Sequence, residues 1–135
     1  MLVDSGPLVA AANRRDTHHE VSAKLLREAA GPLLVSAVVI AEVGYFLEEH
    51  VGGVAEAAFL RSFGTGFLTL AETTLAELDR AAELVEQYAD LPLGTTDAVV
   101  VATAERLGAT TIATLDRRHF SVVRPRHVEA FTLLP

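Results

Sequence analysis

The feature that most limits the fold of this sequence is the alternation of short apolar runs with longer segments of helical periodicity. Short apolar runs separated by helices are typical of strands that are buried on both faces of a parallel sheet. The predicted strands are Leu2 to Asp4, Leu33 to Ser36, Phe67 to Ala71, Thr110 to Leu115 and Val128 to Leu133. We therefore expect an α/β/α sandwich with a central parallel sheet of about four to five strands.

Capping signals predict where the helices begin and end. Thr17 to Glu20 and Thr74 to Glu77 both have the capping-box pattern, in which a hydroxyl and a carboxylate three residues apart bind each other's backbone N–H groups. Gly108 has the position of a C-cap glycine. The predicted helices run from Gly6 to Asn13, Thr17 to the Gly31-Pro32 break, Ala37 to Glu49, Val54 to Phe63, Thr74 to Ala89 and Thr95 to Leu107.

Composition limits the domain count and the compartment. The chain has 135 residues, of which 50% are hydrophobic, and no Pro-, Gly- or Ser-rich linker divides it, so residues 1–135 are expected to form one domain. The absence of cysteine excludes a disulfide scaffold, a thiolate zinc site and a thiol nucleophile. The first apolar run lacks the preceding basic residues of a secretory signal, and no apolar stretch is long enough to span a bilayer. We expect a cytoplasmic protein that does not contact the membrane.

The charge distribution is uneven. A formal net charge of −7 is unfavourable for contact with a phosphate backbone. Much of the acidic excess lies in the middle of the chain, where it is expected to form solvated helix faces. The C-terminal part is instead rich in basic residues, including Arg117, Arg118, Arg124 and Arg126. This segment indicates, without establishing, a partner that carries phosphate.

Four carboxylates are predicted to converge. Asp4 and Asp116 follow the first and fourth predicted strands, and an open α/β sheet binds its ligands at the carboxyl ends of its strands. Glu42 lies in the helix after the second strand, with Val38, Tyr45 and other apolar residues at helical spacing around it, so it is expected to be the only charge on an apolar face. Asp97, at the start of its helix, precedes Val100 and Val101 at the same spacings and is expected to border buried surface.

Carboxylates gathered in this way require a proton or a cation. Two of them about 4 Å apart repel by roughly 4 kcal/mol at an effective dielectric of about 20. Because the candidate ligands are all oxygens, Mg²⁺ or Mn²⁺ suits them better than zinc. Such an ion favours phosphodiester hydrolysis by activated water.

Each of these residues also has a structural interpretation. Asp4 could cap a helix, Asp97 could complement a helix dipole and Asp116 could belong to a turn, and for each acid alone both interpretations stay open. The hydroxyls of Ser5 and Thr96 could support the neighbouring acids or simply begin helices. The histidines are scattered, and the adjacent pair His18 and His19 cannot face one ion from a helix, so all are expected to be surface or capping groups.

Three blocks of this sequence resemble the PIN-domain nucleases, and within them the VapC-type toxins of bacterial toxin–antitoxin pairs. The first is VDSGPLVAAANRRDTHHE with Asp4 and Ser5, and the second is VSAVVIAEV with Glu42. The third, LPLGTTDAVVVATAERLGATTIATLDRRHF, joins Asp97 to Asp116 and is the most specific. Together the blocks cover nearly the whole chain.

The resemblance implies a magnesium-dependent endoribonuclease that forms a homodimer and is inhibited by a cognate antitoxin whose tail enters the active site. It implies that Asp4, Glu42, Asp97 and Asp116 are the metal-binding, catalytic set, with Thr114 as a hydroxyl that orients the site. Some relatives carry a further acid two positions after the last one, where this chain has Arg118. A permanently bound second metal is therefore in doubt, and we expect Arg118, with Arg117 beside it, to contact RNA instead.

Two other classes of protein require residues that this sequence lacks. A receiver-like signalling domain would need an acceptor aspartate after the third strand and a late lysine, but that strand ends in Ala71-Glu72 and the only lysine is Lys24. A phosphatase of the haloacid dehalogenase type would need a second acid two residues after Asp4, where Gly6 stands. A non-catalytic binding module that keeps the same fold stays open.

Overall fold

All five strands of this protein run parallel in one sheet, as a computed structural model describes it over residues 1–135. The strands are β1 (Leu2–Val3), β2 (Leu34–Ser36), β3 (Thr69–Ala71), β4 (Thr111–Ala113) and β5 (Thr132–Leu134), in the spatial order β3-β2-β1-β4-β5. The predicted fold class is confirmed. The observed strands are shorter than predicted because backbone groups at their ends turn to cap helices or enter loops.

The order of the strands reverses direction once. From β1 the chain adds β2 and then β3 on one side, and it then crosses back to place β4 and β5 on the other side of β1. With right-handed crossovers, this reversal puts the helices that precede β3 and those that follow it on opposite faces. The carboxyl ends of β1 and β4 therefore form the switch point at which open parallel sheets bind their ligands.

Seven helices connect and cover the strands. They are α1 (Ser5–Ala12), α2 (His19–Glu28), α3 (Ala37–His50), α4 (Gly53–Gly64), α5 (Leu75–Gln87), α6 (Thr95–Leu107) and α7 (Arg117–Val122). Six were predicted with nearly these bounds. The short α7 was not, because its six residues span too few turns to show a helical repeat. None of the seven helices combines the length and the apolar composition that a membrane-spanning segment requires.

The central helix of the core is α6. Seven consecutive residues from Ala98 to Ala104 are buried, including Val99, Val100 and Val101, and most of them belong to a cluster of 24 buried apolar side chains. Arg80 of α5 fixes this helix from outside by donating two hydrogen bonds, of 2.8 and 3.0 Å, to the carboxylate of Glu105. The position of the first turn of α6 is thereby set by packing along its length.

The two predicted capping boxes have different outcomes. At Thr74 the box is confirmed, because its hydroxyl accepts from the backbone N–H of Glu77 at 3.2 Å and Glu77 accepts from the backbone N–H of Thr74 at 2.7 Å. At Thr17 the prediction is wrong, since α2 begins two residues later without a side-chain cap. Asp16 accepts from the N–H of His18 at 2.7 Å and holds this segment in a turn instead.

The two Thr-x-x-Glu segments provide a matched test of capping. We expect Thr74→Ala to lower the free energy of unfolding by about 1 kcal/mol, because an orphan N–H of α5 loses its acceptor. Thr17→Ala should change it by less than about 0.5 kcal/mol, because Thr17 caps no helix. Urea denaturation of both variants measures the difference, and equal losses would contradict the assignment.

Candidate active site

A polar cleft of about 610 Å³ opens at the carboxyl ends of β1 and β4. All four predicted carboxylates line it, and so do the predicted supporting residues Ser5 and Thr96. The lining residues are Asp4, Ser5, Gly6, Glu42, Gly94, Thr95, Thr96, Asp97, Leu115 and Asp116. Leu115 is the only apolar one. The structure thus brings together, from four separate segments, the acids that the strand-end rule and the helix patterns selected.

Asp4 is the most enclosed of the four acids, with 5% of its surface exposed. It is the N-cap of α1 and accepts from the backbone N–H of Ser5 at 2.7 Å. Its second oxygen accepts from the hydroxyl of Thr114 at 2.8 Å, and that hydroxyl accepts in turn from the backbone N–H of Asp116 at 3.0 Å. Thr114 therefore links the ends of β1 and β4 beside Asp4, the acid that the resemblance implies it orients.

Glu42 reaches the cleft through Ser5, whose hydroxyl donates to Glu42 Oε1 at 2.7 Å. The prediction that Glu42 is the only charge on an apolar helix face is wrong in part. Tyr45 and Phe46, which share its side of α3, are 62% and 37% exposed. The buried face of α3 carries Val39, Val43 and Leu47 instead. Glu42 lies at the border of that face and is half-buried, so its surroundings are less apolar than its helical neighbours suggested.

Asp97 and Asp116 are joined by a residue that the sequence interpretation missed. His119 Nδ1 lies 2.7 Å from Asp97 Oδ2 and 3.3 Å from Asp116 Oδ2. The expectation that every histidine is a surface or capping group is therefore wrong for His119, whose side chain is 17% exposed. Its position three residues after Asp116 would have revealed the contact if α7 had been predicted, because residues at that spacing share a helix face.

Asp116 also has a local role. It is the N-cap of α7, and its Oδ1 accepts from the backbone N–H of Arg118 at 3.0 Å. Its side chain is 49% exposed, against 17% for Asp97, so it is the more accessible of the two acids that His119 contacts. Capping and a place in the cleft therefore coexist at Asp116, as they do at Asp4, so the structural and functional interpretations do not exclude each other.

Gly6 allows the two halves of the cleft to approach. A Cβ atom at this position would lie 3.2 Å from the Cβ of Leu115, closer than nearly all such contacts in proteins. The first turn of α1 therefore packs against the segment after β4 at a distance that tolerates no side chain without displacement. This close approach helps to hold Asp4 beside Thr114.

Burial controls the titration of the cleft. Burial raises the pKa of Asp4 from 3.8 to about 6, although hydrogen bonds from Thr114 and Ser5 lower it, and the charges of Asp97 and Glu42 raise it further. Burial also raises the pKa of Asp97, against the opposing effect of the hydrogen bond from His119. Both acids are thus costly to ionise together without a counter-charge.

The carboxylate oxygens of the cleft are ligands that a hard cation prefers, but few of them are free of protein hydrogen bonds. Glu42 Oε2 and Asp97 Oδ1 accept no hydrogen bond from the protein, whereas both oxygens of Asp4 do. No three His, Asp or Glu side chains are arranged so that they could hold a metal ion together. The free oxygens of Glu42 and Asp97 are of the kind that an ion taking one or two carboxylates and several waters prefers, as Mg²⁺ does.

The remaining predicted residues lie at the cleft or near it. Thr96 lines the cleft, but its hydroxyl makes no hydrogen bond to an acid. Arg117 is exposed and donates to the backbone carbonyls of Leu133 and Pro135, which commits part of its guanidinium to the C-terminal segment. The exposed side chain of Arg118 makes no hydrogen bond or ion pair and is free to bind another molecule.

Comparison with known proteins gives the family. The model of the PIN domain matches residues 1–124. The chain belongs to the PIN-domain family. This PIN domain is also 38% identical, over all 135 residues of both chains, to Ribonuclease VapC26 of Mycobacterium tuberculosis strain H37Rv. The resemblance to VapC-type members is therefore confirmed, and the receiver-like and phosphatase alternatives are not supported.

Two solved structures share the fold. The crystal structure of Mycobacterium tuberculosis VapC20, described as a Sarcin-Ricin loop cleaving toxin, has a TM-score of 0.82 at 18% identity and covers 95% of this chain and 98% of its own. The crystal structure of VapBC2 from Rickettsia felis, bound to a DNA fragment from the VapBC2 promoter, has a TM-score of 0.70 at 16% identity. The match covers 99% of this chain and 98% of that one. At these identities the likeness concerns the fold alone.

The raised pKa of Asp4 predicts a pH-dependent gain in stability on neutralisation. Between about pH 4 and 6 the folded state binds the Asp4 proton more tightly than the unfolded state does, so the free energy of unfolding falls as the pH rises through this range. In chelator, Asp4→Asn should therefore be more stable than the parent at pH 8 by about 2–3 kcal/mol, and only slightly more stable at pH 4.

Denaturation at both pH values measures this gain. Asp79→Asn is the matched control, because the side chain of Asp79 is exposed on α5 and makes no hydrogen bond. This change should alter the free energy of unfolding by less than about 0.5 kcal/mol. If Asp4→Asn is less stable than the parent at pH 8, burial does not raise the pKa of Asp4 in the folded protein.

Proposed function

We propose that this PIN domain is a Mg²⁺-dependent endoribonuclease and the toxin of a toxin–antitoxin pair. The observation that carries the proposal is the convergence of Asp4, Glu42, Asp97 and Asp116 on one polar cleft at the switch point of the sheet. Full-length identity of 38% to a protein named as a ribonuclease supports RNA as the substrate. We place the reaction in the cytoplasm, where such a substrate is found.

Asp4 and Asp97 would be the principal ligands of Mg²⁺, and Mn²⁺ could substitute for it. Burial raises the pKa of both acids, and neighbouring carboxylates raise it further: Asp97 and Glu42 act on Asp4, and Asp116 and Glu42 act on Asp97. A divalent cation in the cleft would offset both effects. When bound, the ion supplies acidification of a water molecule and stabilisation of charge on a phosphate oxygen. Glu42 and Asp116 would act through water, since both lie at the cleft and Glu42 keeps one oxygen without a protein donor.

The chain's own groups would orient the reaction. Thr114 and the Ser5 backbone hold both oxygens of Asp4 in place, and the Ser5 hydroxyl fixes one oxygen of Glu42. Glu42 Oε2 is then available to orient a water molecule or to accept its proton. Because these donors are already in place, Glu42 needs no rearrangement to present its free oxygen.

Protein partners are part of the proposal. We infer that the chain forms a homodimer and binds a cognate antitoxin whose tail enters the cleft. Large apolar side chains are exposed on α3 and α5, with Tyr45 at 62%, Leu75 at 82% and Leu78 at 47%. Exposed apolar groups that cluster on helix faces favour contact with other proteins.

The central test is a single change in the cleft. Asp97→Asn should lower the rate of RNA cleavage in Mg²⁺ by at least about a hundredfold, because it removes a metal-binding charge and keeps the shape of the side chain. The variant Asp79→Asn changes an exposed acid that does not line the cleft, and it should cleave at the parental rate.

Cleavage of labelled RNA with Mg²⁺ and with chelator gives these rates. Undiminished cleavage by Asp97→Asn would refute the assignment of the site. Absence of cleavage by the parent protein in Mg²⁺ would favour the non-catalytic binding module.

The free guanidinium of Arg118 predicts a role in RNA binding. In the Asp97→Asn background, which prevents cleavage, Arg118→Ala should weaken RNA binding and reduce the slope of log K against log salt by about 0.7–1, the loss of one phosphate contact. Arg61→Ala on α4 is the control, because this exposed arginine lies on a helix that contributes nothing to the cleft. If the two variants have the same salt slope, Arg118 makes no phosphate contact.

A further inference from the structure

His119 occupies a singular place among the five histidines. Its Nδ1 lies between two cleft acids, 2.7 Å from Asp97 Oδ2 and 3.3 Å from Asp116 Oδ2. The ring nitrogens of His19 and His127 bind backbone carbonyls instead, those of Ala10 and Ala109. Only the ring nitrogen of His119 therefore contacts carboxylates of the cleft.

The direction of this hydrogen bond follows from the partners. An ionised carboxylate only accepts, so Nδ1 of His119 carries the hydrogen and donates it to Asp97. The Nδ1–H group exists in one neutral tautomer of the ring and in the charged ring alike, so the bond forms in either state. The donor role of His119 does not depend on its charge.

The bond selects one oxygen of Asp97 for other ligands. With Oδ2 held by His119, Oδ1 is the oxygen that carries no protein hydrogen bond. The same contact ties α7, which Asp116 caps, to the first turn of α6. Without it, the Asp97 side chain could rotate, and no donor would lie between Asp97 and Asp116, whose charge raises the pKa of Asp97.

We propose that His119 is a positioning residue, which fixes the carboxylate of Asp97 through Nδ1 so that Oδ1 is presented to a divalent cation. This inference rests on the proposed metal-dependent function. Groups that orient a metal ligand commonly change metal affinity by about 10- to 100-fold when they are removed. His119 itself touches neither the metal nor the substrate in this role.

The chemistry of the ring suggests a pair of substitutions that separates positioning from packing. In asparagine the amide nitrogen is two bonds from Cβ, as Nδ1 is in histidine, so His119→Asn can restore the donor to Asp97. In glutamine the amide nitrogen is one bond further out, at the position of Nε2. His119→Gln therefore keeps a polar, donating side chain of greater length and misplaces the hydrogen.

The experiment titrates the full chain with Mn²⁺ alone, by calorimetry or by the Mn²⁺ paramagnetic resonance signal. His119→Ala and His119→Gln should weaken Mn²⁺ binding by about 10- to 100-fold, and His119→Asn should stay within about threefold of the parent. His19→Ala is the matched control, because it removes an Nδ1 hydrogen bond to a backbone carbonyl and should leave the Mn²⁺ affinity unchanged.

The outcomes distinguish this inference from the proposed function. Equal Mn²⁺ affinity of the parent, His119→Ala and His119→Gln overturns the positioning role even if the parent cleaves RNA. Parallel weakening of Asn, Gln and Ala variants also overturns it, because restoring the donor then restores nothing. If the alanine variant does not fold by circular dichroism, the Asn and Gln pair decides. The expected affinities together with no RNA cleavage by the parent would support the positioning role and refute the nuclease function.

Discussion

Parallel pairing of β1 with β4 is the contact on which the cleft depends. Residues that lie about 110 positions apart in the chain meet there, since Asp4 donates its backbone N–H to the carbonyl of Ala113 and accepts the hydroxyl hydrogen of Thr114. Gly6 lets the first turn of α1 come close to Leu115 on the same seam. The positions of Glu42 and Asp97 then follow from how α3 and α6 pack against the neighbouring strand β2 and against each other. A change that separated β1 from β4 would therefore disperse the cleft.

Burying carboxylates in the cleft lowers the stability of the folded protein. Helix caps and short hydrogen bonds hold each acid, and these local donors offset only part of the cost of burial. The pKa values of Asp4 and Asp97 stay raised by burial for this reason. A fold without a ligand to bind gains nothing from such a group of acids, which is why strongly shifted carboxylates in a cleft indicate a functional site. His119 lowers the pKa of Asp97 and thus belongs to the same balance.

Local sequence patterns predicted some features and missed others for identifiable reasons. The same Thr-x-x-Glu pattern gave a capping box at Thr74 and none at Thr17, because Asp16 competes for the backbone there. Helix α7 is too short to show a period. Glu42 was found by an argument about apolar neighbours that exposure of Tyr45 contradicts. Its contact with Ser5 depends on the packing of α3, which no local pattern contains.

By itself the sequence determined the alternation of strands and helices, the parallel sheet, and the strand-end positions of Asp4 and Asp116. The hydrophobic period of each segment and the order of the segments along the chain can be read from neighbouring residues. It also carried the motifs of the PIN-domain family. Tertiary structure alone decided which oxygens are held and which are free, and it placed His119 between Asp97 and Asp116. Those contacts join separate helices over distances of a few ångströms, and such distances are set by packing of the whole core rather than by the order of residues along the chain.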